Sequence, residues 1–102
     1  MAIVNVSIVP LGTNSPSLSQ YVTRAIKVVE RNGHVKYQLT PMGTILEGDL
    51  DGVLSIIRQM HESVFSEGVQ RVLTTIKIDD RRDKTATMKS KISSVESKLR
   101  RG

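Results

Sequence analysis

The sequence contains no cysteine and no tryptophan, and its aromatic residues are two tyrosines and one phenylalanine. The lack of cysteine excludes a disulfide framework and thiolate metal sites. No apolar run approaches the roughly 20 residues that a membrane-spanning helix needs, and no basic segment followed by an apolar stretch opens the chain. We therefore expect a cytoplasmic protein with no membrane partner.

Basic charge is concentrated at one end of the chain, although the 102 residues carry a formal net charge of +5. Eight Lys or Arg and two acidic residues lie between Arg81 and Gly102, which gives this segment +6 and leaves −1 for residues 1–80. A broad phosphate-binding surface would need a basic body, and RNA recognition on a sheet needs aromatic side chains on its strands. We therefore do not expect nucleic acid as a partner.

Apolar periodicity predicts four strands and two helices ahead of the tail. The strands are predicted at residues 2–9, 35–40, 44–47 and 69–79. The first helix is predicted to open with a capping box of Ser17 and Gln20 and to end at Gly33. Its predicted buried stripe is Leu18, Tyr21, Val22, Ala25, Ile26 and Val29. The second helix is predicted between Asp49 and Gly68, with the stripe Leu50, Val53, Leu54, Ile57, Met60, Val64 and Phe65.

The element order is typical of the α/β (α+β) class, a ferredoxin-like split βαββαβ fold with an antiparallel sheet of order 4-1-3-2. We assign residues 1–82 to this domain and residues 83–102 to a basic C-terminal helix. Met88, Ile92, Val95 and Leu99 form a thin apolar stripe on that helix. The stripe predicts packing on the bare sheet face of the same domain or on a partner subunit, and a free tail remains the alternative.

The residues that usually carry catalysis are not grouped. His34 and His61 have no second histidine at a metal-ligand spacing, and Phe65 stands where a zinc-protease motif would have its second histidine. No serine lies in a Gly-x-Ser-x-Gly elbow, and residues 10–13 lack the ending of a phosphate loop. We therefore predict no enzyme, no cofactor and no metal.

Two further patterns have structural interpretations. Asn5 and Ser7 lie on the mixed face of the first strand, where they need hydrogen-bond partners from a ligand, from the tail helix or from another subunit. The alternating charges of residues 79–84 favour an ion-pair network at a strand end over a phosphate track.

Three segments together resemble the thiamine-binding protein family of short ferredoxin-like domains. They are residues 7–13, residues 37–44 with Glu47-Gly48, and Arg71-Val72 followed by residues 77–84, with the sequences SIVPLGT, YQLTPMGT and KIDDRRDK for the longer parts. The resemblance implies a cytosolic protein that binds thiamine or its hydroxymethylpyrimidine moiety as a homodimer or homotetramer. It implies no reaction.

A thiamine site needs hydrogen-bond donors and acceptors for the aminopyrimidine, apolar walls, and an anionic group near the thiazolium cation. Asn5, Ser7 and Thr44 offer hydrogen bonds, Met42 offers a pliable wall, and Tyr37 is the strand aromatic. Glu47 is predicted to face the cation, or alternatively to pair with Lys77 or cap the second helix. Lys77 and Arg82 would serve a phosphorylated ligand. The candidate ligand-binding residues are therefore Asn5, Ser7, Tyr37, Met42, Thr44, Glu47, Lys77 and Arg82.

A second class of function remains open at this stage. The mixed sheet face and the basic tail also fit a purely assembling, structural protein with a sheet-face interface and a macromolecular partner. Thermal shift with thiamine, its phosphates and hydroxymethylpyrimidine would separate the two classes, because a ligand at 100 times its Kd adds about 2.7 kcal/mol of apparent stability.

Overall fold

The fold is a four-stranded sheet with two helices on one face and a third helix at the C-terminus. The computed structural model describes residues 1–13, 18–83 and 87–101. In chain order the elements are β1 Ala2–Pro10, α1 Ser19–Asn32, β2 Lys36–Thr40, β3 Gly43–Gly48, α2 Leu50–Phe65, β4 Val72–Asp80 and α3 Met88–Arg101. The sheet order is β2-β3-β1-β4, and all three pairs are antiparallel. This is the predicted order 4-1-3-2 read from the opposite edge, so the ferredoxin-like prediction is confirmed.

The register of the strands assigns each side chain to one face of the sheet. Val4 lies opposite Leu46 on β3 and Ile78 on β4. Directly opposed residues point to the same side, so these three share the face that α1 and α2 cover. The core on this face contains Ala2, Val4, Val6, Ala25, Val28, Val29, Val35, Leu46, Val53, Ile56, Ile57 and Met60. The other face, which we call the open face, carries the alternate residues of each strand.

Helix α1 differs in detail from its prediction. The predicted capping residue Ser17 lies outside the described residues, and α1 begins at Ser19 with Leu18 as an N-cap that makes no side-chain hydrogen bond. The predicted buried stripe included Val22 and left out Val28. In the structure Val28 is buried and Val22 is 41% exposed. Val22 faces a cavity instead of the sheet, which accounts for its exposure. Gly33 ends the helix with φ 68°, as the left-handed C-cap prediction required.

Helix α2 is capped by a carboxylate. The Asp49 side chain accepts a hydrogen bond from the Gly52 backbone N–H at 3.3 Å, so Asp49 and not Glu47 caps this helix. Ile56 is buried although it was not in the predicted stripe, because α2 packs against α1 as well as against the sheet. β4 begins at Val72, later than predicted, and the Arg71 carbonyl accepts a hydrogen bond from the Leu11 N–H at 2.9 Å.

The C-terminal helix forms as predicted, but most of it does not pack on the sheet. Lys91 forms an ion pair with Asp79 of β4, and Thr87 and Met88 are half-buried. From Ile92 onward the described side chains are exposed. The radius of gyration is 15.3 Å, compared with about 13 Å for a compact domain of about 100 residues. Over the described ranges, every helix is too short or too polar to cross a membrane.

Candidate functional site

A cavity of about 290 Å³ lies on the helix-covered side of the sheet, between α1 and the β2–β3 hairpin. Its walls come from β1, α1, β2, β3 and α2, together with the turn between β2 and β3. The residues that form it are Val6, Ser7, Ile8, Val9, Leu18, Tyr21, Val22, Ala25, Leu39, Thr40, Pro41, Met42, Gly43, Thr44 and Met60. Most of these side chains are apolar, so the cavity favours a flat, largely apolar ligand group.

The hairpin that closes one side of the cavity is held by its own turn. The Thr40 hydroxyl donates to the Gly43 carbonyl at 2.9 Å and accepts from the Met42 N–H at 3.2 Å. Gly43 packs directly on β1, since a Cβ built there would lie 2.8 Å from the Val6 carbonyl oxygen and 2.8 Å from Asn5 Oδ1. The hairpin therefore has a fixed position relative to β1.

Thr44 is a buried polar side chain of the cavity wall. It is 6% exposed and lies between Val6 and Leu39 in the sheet register. Its hydroxyl can donate one hydrogen bond and accept others, which suits the amino group and ring nitrogens of an aminopyrimidine. Ser7 borders the cavity as well, but it alternates with Val6 on β1, so its hydroxyl lies on the open face. Among the described lining residues, Tyr21 is the one titratable group.

A second concavity lies on the opposite side of β3. It is an open groove of about 980 Å³ between the sheet and α3, which we call the α3 groove. Glu47 lines it, together with Met88, Ile92 and Glu96, and residues 35–38 form its border at β2. Thr44 and Glu47 are three positions apart on one strand, so their side chains point to opposite faces.

The eight predicted site residues are therefore divided among several places. Met42 and Thr44 meet at the cavity, and Glu47 lies at the α3 groove. Ser7 borders the cavity and Tyr37 borders the groove, but the register turns the Ser7 side chain to the open face and the Tyr37 side chain to the helix-covered face, so neither joins its predicted partners.

The other three predicted residues line neither space. Asn5 and Lys77 are direct neighbours on the open face, where both are exposed. Arg82 is exposed and pairs with Asp80 at 2.9 Å.

Charged residues at the end of β4 and just beyond it form two ion pairs of the kind predicted from the alternating signs of residues 79–84, and Asp79 forms a third with a lysine of α3 outside that segment. Arg82 pairs with Asp80, Arg81 pairs with Asp83 at 2.6 Å, and Lys91 pairs with Asp79. Hydrogen bonds from the Arg82 guanidinium lower the pKa of the Asp80 carboxyl, and the same contact raises the pKa of Arg82. The predicted contribution of Lys84 lies outside the described residues.

The two histidines have different surroundings in the structure. His61 Nδ1 lies 2.6 Å from the Thr74 hydroxyl, and the imidazole contacts the Phe65 ring edge-on with centroids 5.2 Å apart. His34 is exposed after α1. Across the described ranges, no group of three His, Cys, Asp or Glu residues is placed to hold a metal ion.

Sequence reasoning missed much of the cavity wall. Leu18, Val22 and Met60 were assigned to helix stripes, and Leu39 was read as an ordinary strand residue. The exposure of Val22 and Leu39 shows that the helix and the hairpin diverge at this end of the fold. A periodic pattern identifies the apolar side of a helix but cannot show where two apolar surfaces fail to meet.

Comparison with known proteins gives a consistent set of similarities. A family model described as "Thiamine-binding protein" matches residues 4–96. The chain is 49% identical to a Bacillus subtilis protein named "UPF0045 protein YqgV", over 97% of this chain and 98% of that protein.

Solved structures share the fold. The crystal structure of the hypothetical protein MJ1052 from Methanocaldococcus jannaschii has a TM-score of 0.85 and 39% identity, and the match covers 93% of this chain and 95% of that one. A Thermotoga maritima protein that is provisionally named for thiamine biosynthesis or salvage has a TM-score of 0.75 at 21% identity, over 92% and 97% of the two chains. At that identity the second similarity shows the fold alone.

Proposed function

Since the chain belongs to the thiamine-binding protein family, we propose that it is a cytoplasmic, oligomeric protein that binds thiamine or a related pyrimidine without catalysing a reaction. The cavity beside the hairpin is the binding site in this proposal. Its ligand-binding residues are Met42 and Thr44.

The single observation that carries the proposal is the cavity in which two buried residues with hydroxyl groups, Thr44 and Tyr21, lie among apolar walls. Its volume of about 290 Å³ lies just below the range of about 300–1,000 Å³ for small-molecule sites. That size favours the pyrimidine ring as the enclosed part and leaves the thiazolium at the opening. Thr44 would then hydrogen-bond the ring, and the flexible side chain of Met42 would pack over it.

A binding role without turnover is supported by the chemistry of the walls. General acid–base catalysis needs a titratable group within hydrogen-bond reach of the reacting atom, with a pKa near the working pH. The described lining offers Tyr21 and no carboxylate, histidine, lysine or arginine. The ligand would therefore leave the cavity unchanged.

Replacing Thr44 with valine should weaken binding of hydroxymethyl-aminopyrimidine about tenfold, because the ligand loses a hydrogen-bond partner in a buried site. Valine keeps the shape and the strand preference of threonine, so the fold should persist. Isothermal titration of both proteins with the pyrimidine and with thiamine measures the difference.

Thr75→Val is the matched control, because Thr75 is an exposed strand residue that does not line the cavity. Its affinity should stay within about twofold of the unmodified protein. If neither the pyrimidine nor thiamine binds the unmodified protein at millimolar concentration, the proposed function is wrong.

Assembly is the second part of the proposal, and two apolar surfaces support it. Ile92, Val95 and Leu99 on α3 are 48%, 58% and 73% exposed. β4 is an edge strand of the sheet with Leu73, Ile76 and Ile78 exposed. Exposed apolar stripes and long unpaired edges are features that a second copy of the chain can cover.

A triple variant in which serine replaces Ile92, Val95 and Leu99 should have a lower subunit number by light scattering. In the proposal these side chains form the apolar surface that the partner subunit covers. Lys98→Ser on the same helix serves as the control and should leave the subunit number unchanged. If the triple variant keeps both the subunit number and the melting temperature, the tail takes no part in assembly.

The same surfaces favour one alternative function, a purely assembling protein with a macromolecular partner. The two functions make opposite predictions for the cavity. An assembling protein would show no saturable change at the cavity residues with any pyrimidine, and its subunit number would respond to α3 and β4 variants alone.

A further inference from the structure

Glu47 is a buried carboxylate that lacks a partner. Glu47 is 4% exposed, and its Oε1 atom accepts no hydrogen bond from any of the described residues. A buried acceptor without a donor is costly, and a buried carboxylate more so, because it loses hydration of its charge. Each such group in a native protein calls for an explanation, and an absent ligand is one.

The carboxylate lies at the α3 groove on the side of β3 away from the cavity. Met88 and Ile92 of α3 give the groove apolar surface, and β2 borders it at the edge of the sheet. The groove thus combines one buried anionic acceptor with surfaces on which a flat group can lie.

Neighbouring lysines do not neutralise Glu47. Lys36 lies directly opposite Glu47 in the sheet register, and Lys89 lines the same groove. Within the part of the chain that the structure describes, neither forms an ion pair with Glu47. The alternative partner predicted from the sequence, Lys77, forms none either.

We propose that the α3 groove is a second ligand site, for a small planar organic cation with N–H donors, of the amidinium or guanidinium class, with Glu47 as its counter-ion. Such a cation gives the buried oxygen both a donor and a positive charge, and its planar fork matches a carboxylate. Its face can lie on the apolar side chains of Met88 and Ile92. A thiazolium, whose nitrogen is fully substituted, supplies the charge without the donor. This site is independent of the cavity and of the proposed pyrimidine ligand.

The test uses methylguanidinium as the probe and tetramethylammonium as a cation without N–H groups. In NMR titrations of the full chain, methylguanidinium should give saturable shifts at the Glu47 amide and the Met88 methyl group, while the Thr44 amide stays unmoved. Tetramethylammonium should give no saturable shift at Glu47.

Glu47→Gln should weaken methylguanidinium binding at least about tenfold, because the bond to a charged acceptor is lost. Glu96→Gln is the matched control, since Glu96 lines the same groove but is exposed, and its effect should stay within about twofold. The titration of the unmodified protein keeps the test valid even if the Gln variant folds poorly.

Three results would overturn the proposal: no saturable shift with methylguanidinium, equal binding of both cations, or equal binding to the unmodified protein and Glu47→Gln. A different result would identify Lys36 as the partner of Glu47 in solution. In that case no probe binds, and the double variant of Lys36→Met and Glu47→Gln lowers the melting temperature by less than the sum of the two single variants. If Glu47→Gln changes the subunit number and no probe binds, the partner is a second copy. Pyrimidine binding at the cavity can succeed or fail in each case, so the two proposals are tested separately.

Discussion

Gly43→Ala is expected to destabilise the protein by about 1–3 kcal/mol, the usual range for an overpacked site. The added Cβ would lie 2.8 Å from the Val6 carbonyl oxygen, a backbone atom that can move only if the β1–β3 pairing moves. Asn5 Oδ1, at the same distance, can rotate away. Urea unfolding measures the loss, and the displaced hairpin should weaken pyrimidine binding as well.

Gly52→Ala gives this prediction an internal control of opposite sign. Gly52 lies in α2, and a Cβ there meets nothing within 4 Å. Alanine is favoured over glycine in a helix by about 0.8–1.0 kcal/mol, so this variant should unfold at higher urea concentration. If Gly43→Ala and Gly52→Ala lowered the free energy of unfolding equally, the close approach of Gly43 to β1 would not be the cause of the loss at Gly43.

Leu46→Ala should lower the free energy of unfolding by about 2–5 kcal/mol. Leu46 is 0% exposed at the centre of β3, and its side chain lies beneath the helices beside Val4. The cavity that alanine leaves can close only partly, so lost contacts add to the lost transfer energy. Denaturant unfolding measures the change. The loss would be a large part of the total free energy of unfolding, which is about 5–15 kcal/mol for a domain of this size.

Leu73→Ala is the comparison for Leu46, since it makes the same change on β4 at a side chain that is 56% exposed. Surface substitutions of this kind usually stay within about 0.5 kcal/mol. A similar loss at both positions would contradict the assignment of the core to the helix-covered face, or would show that Leu73 is buried in the assembled protein.

The fold was predictable because its signals are local. Val4 and Val6 alternate with Asn5 and Ser7, and this period of two gave β1 and its buried face. Asp49 and Gly33 mark helix ends through caps that depend on single residues. The order of the elements then leaves few topologies to choose from, and the predicted one is confirmed.

The candidate site was less predictable, for two different reasons. The separation of Thr44 from Glu47 follows from their odd spacing on one strand, so the alternation could have divided the proposed site before the structure did. The cavity itself depends on how far α1 and the hairpin diverge, which no local pattern encodes. Likewise, the stripe on α3 predicts an amphipathic helix without specifying the surface that it meets.

The most direct measurement is an NMR titration of the methionine methyl groups, because the four methionines report on different places. Met42 and Met60 line the cavity, Met88 lines the α3 groove, and Met1 belongs to neither. Hydroxymethyl-aminopyrimidine is predicted to shift the Met42 and Met60 signals to saturation and to leave Met88 and Met1 unchanged. Saturable shifts at Met88 alone, or at none of the four, would contradict pyrimidine binding at the cavity.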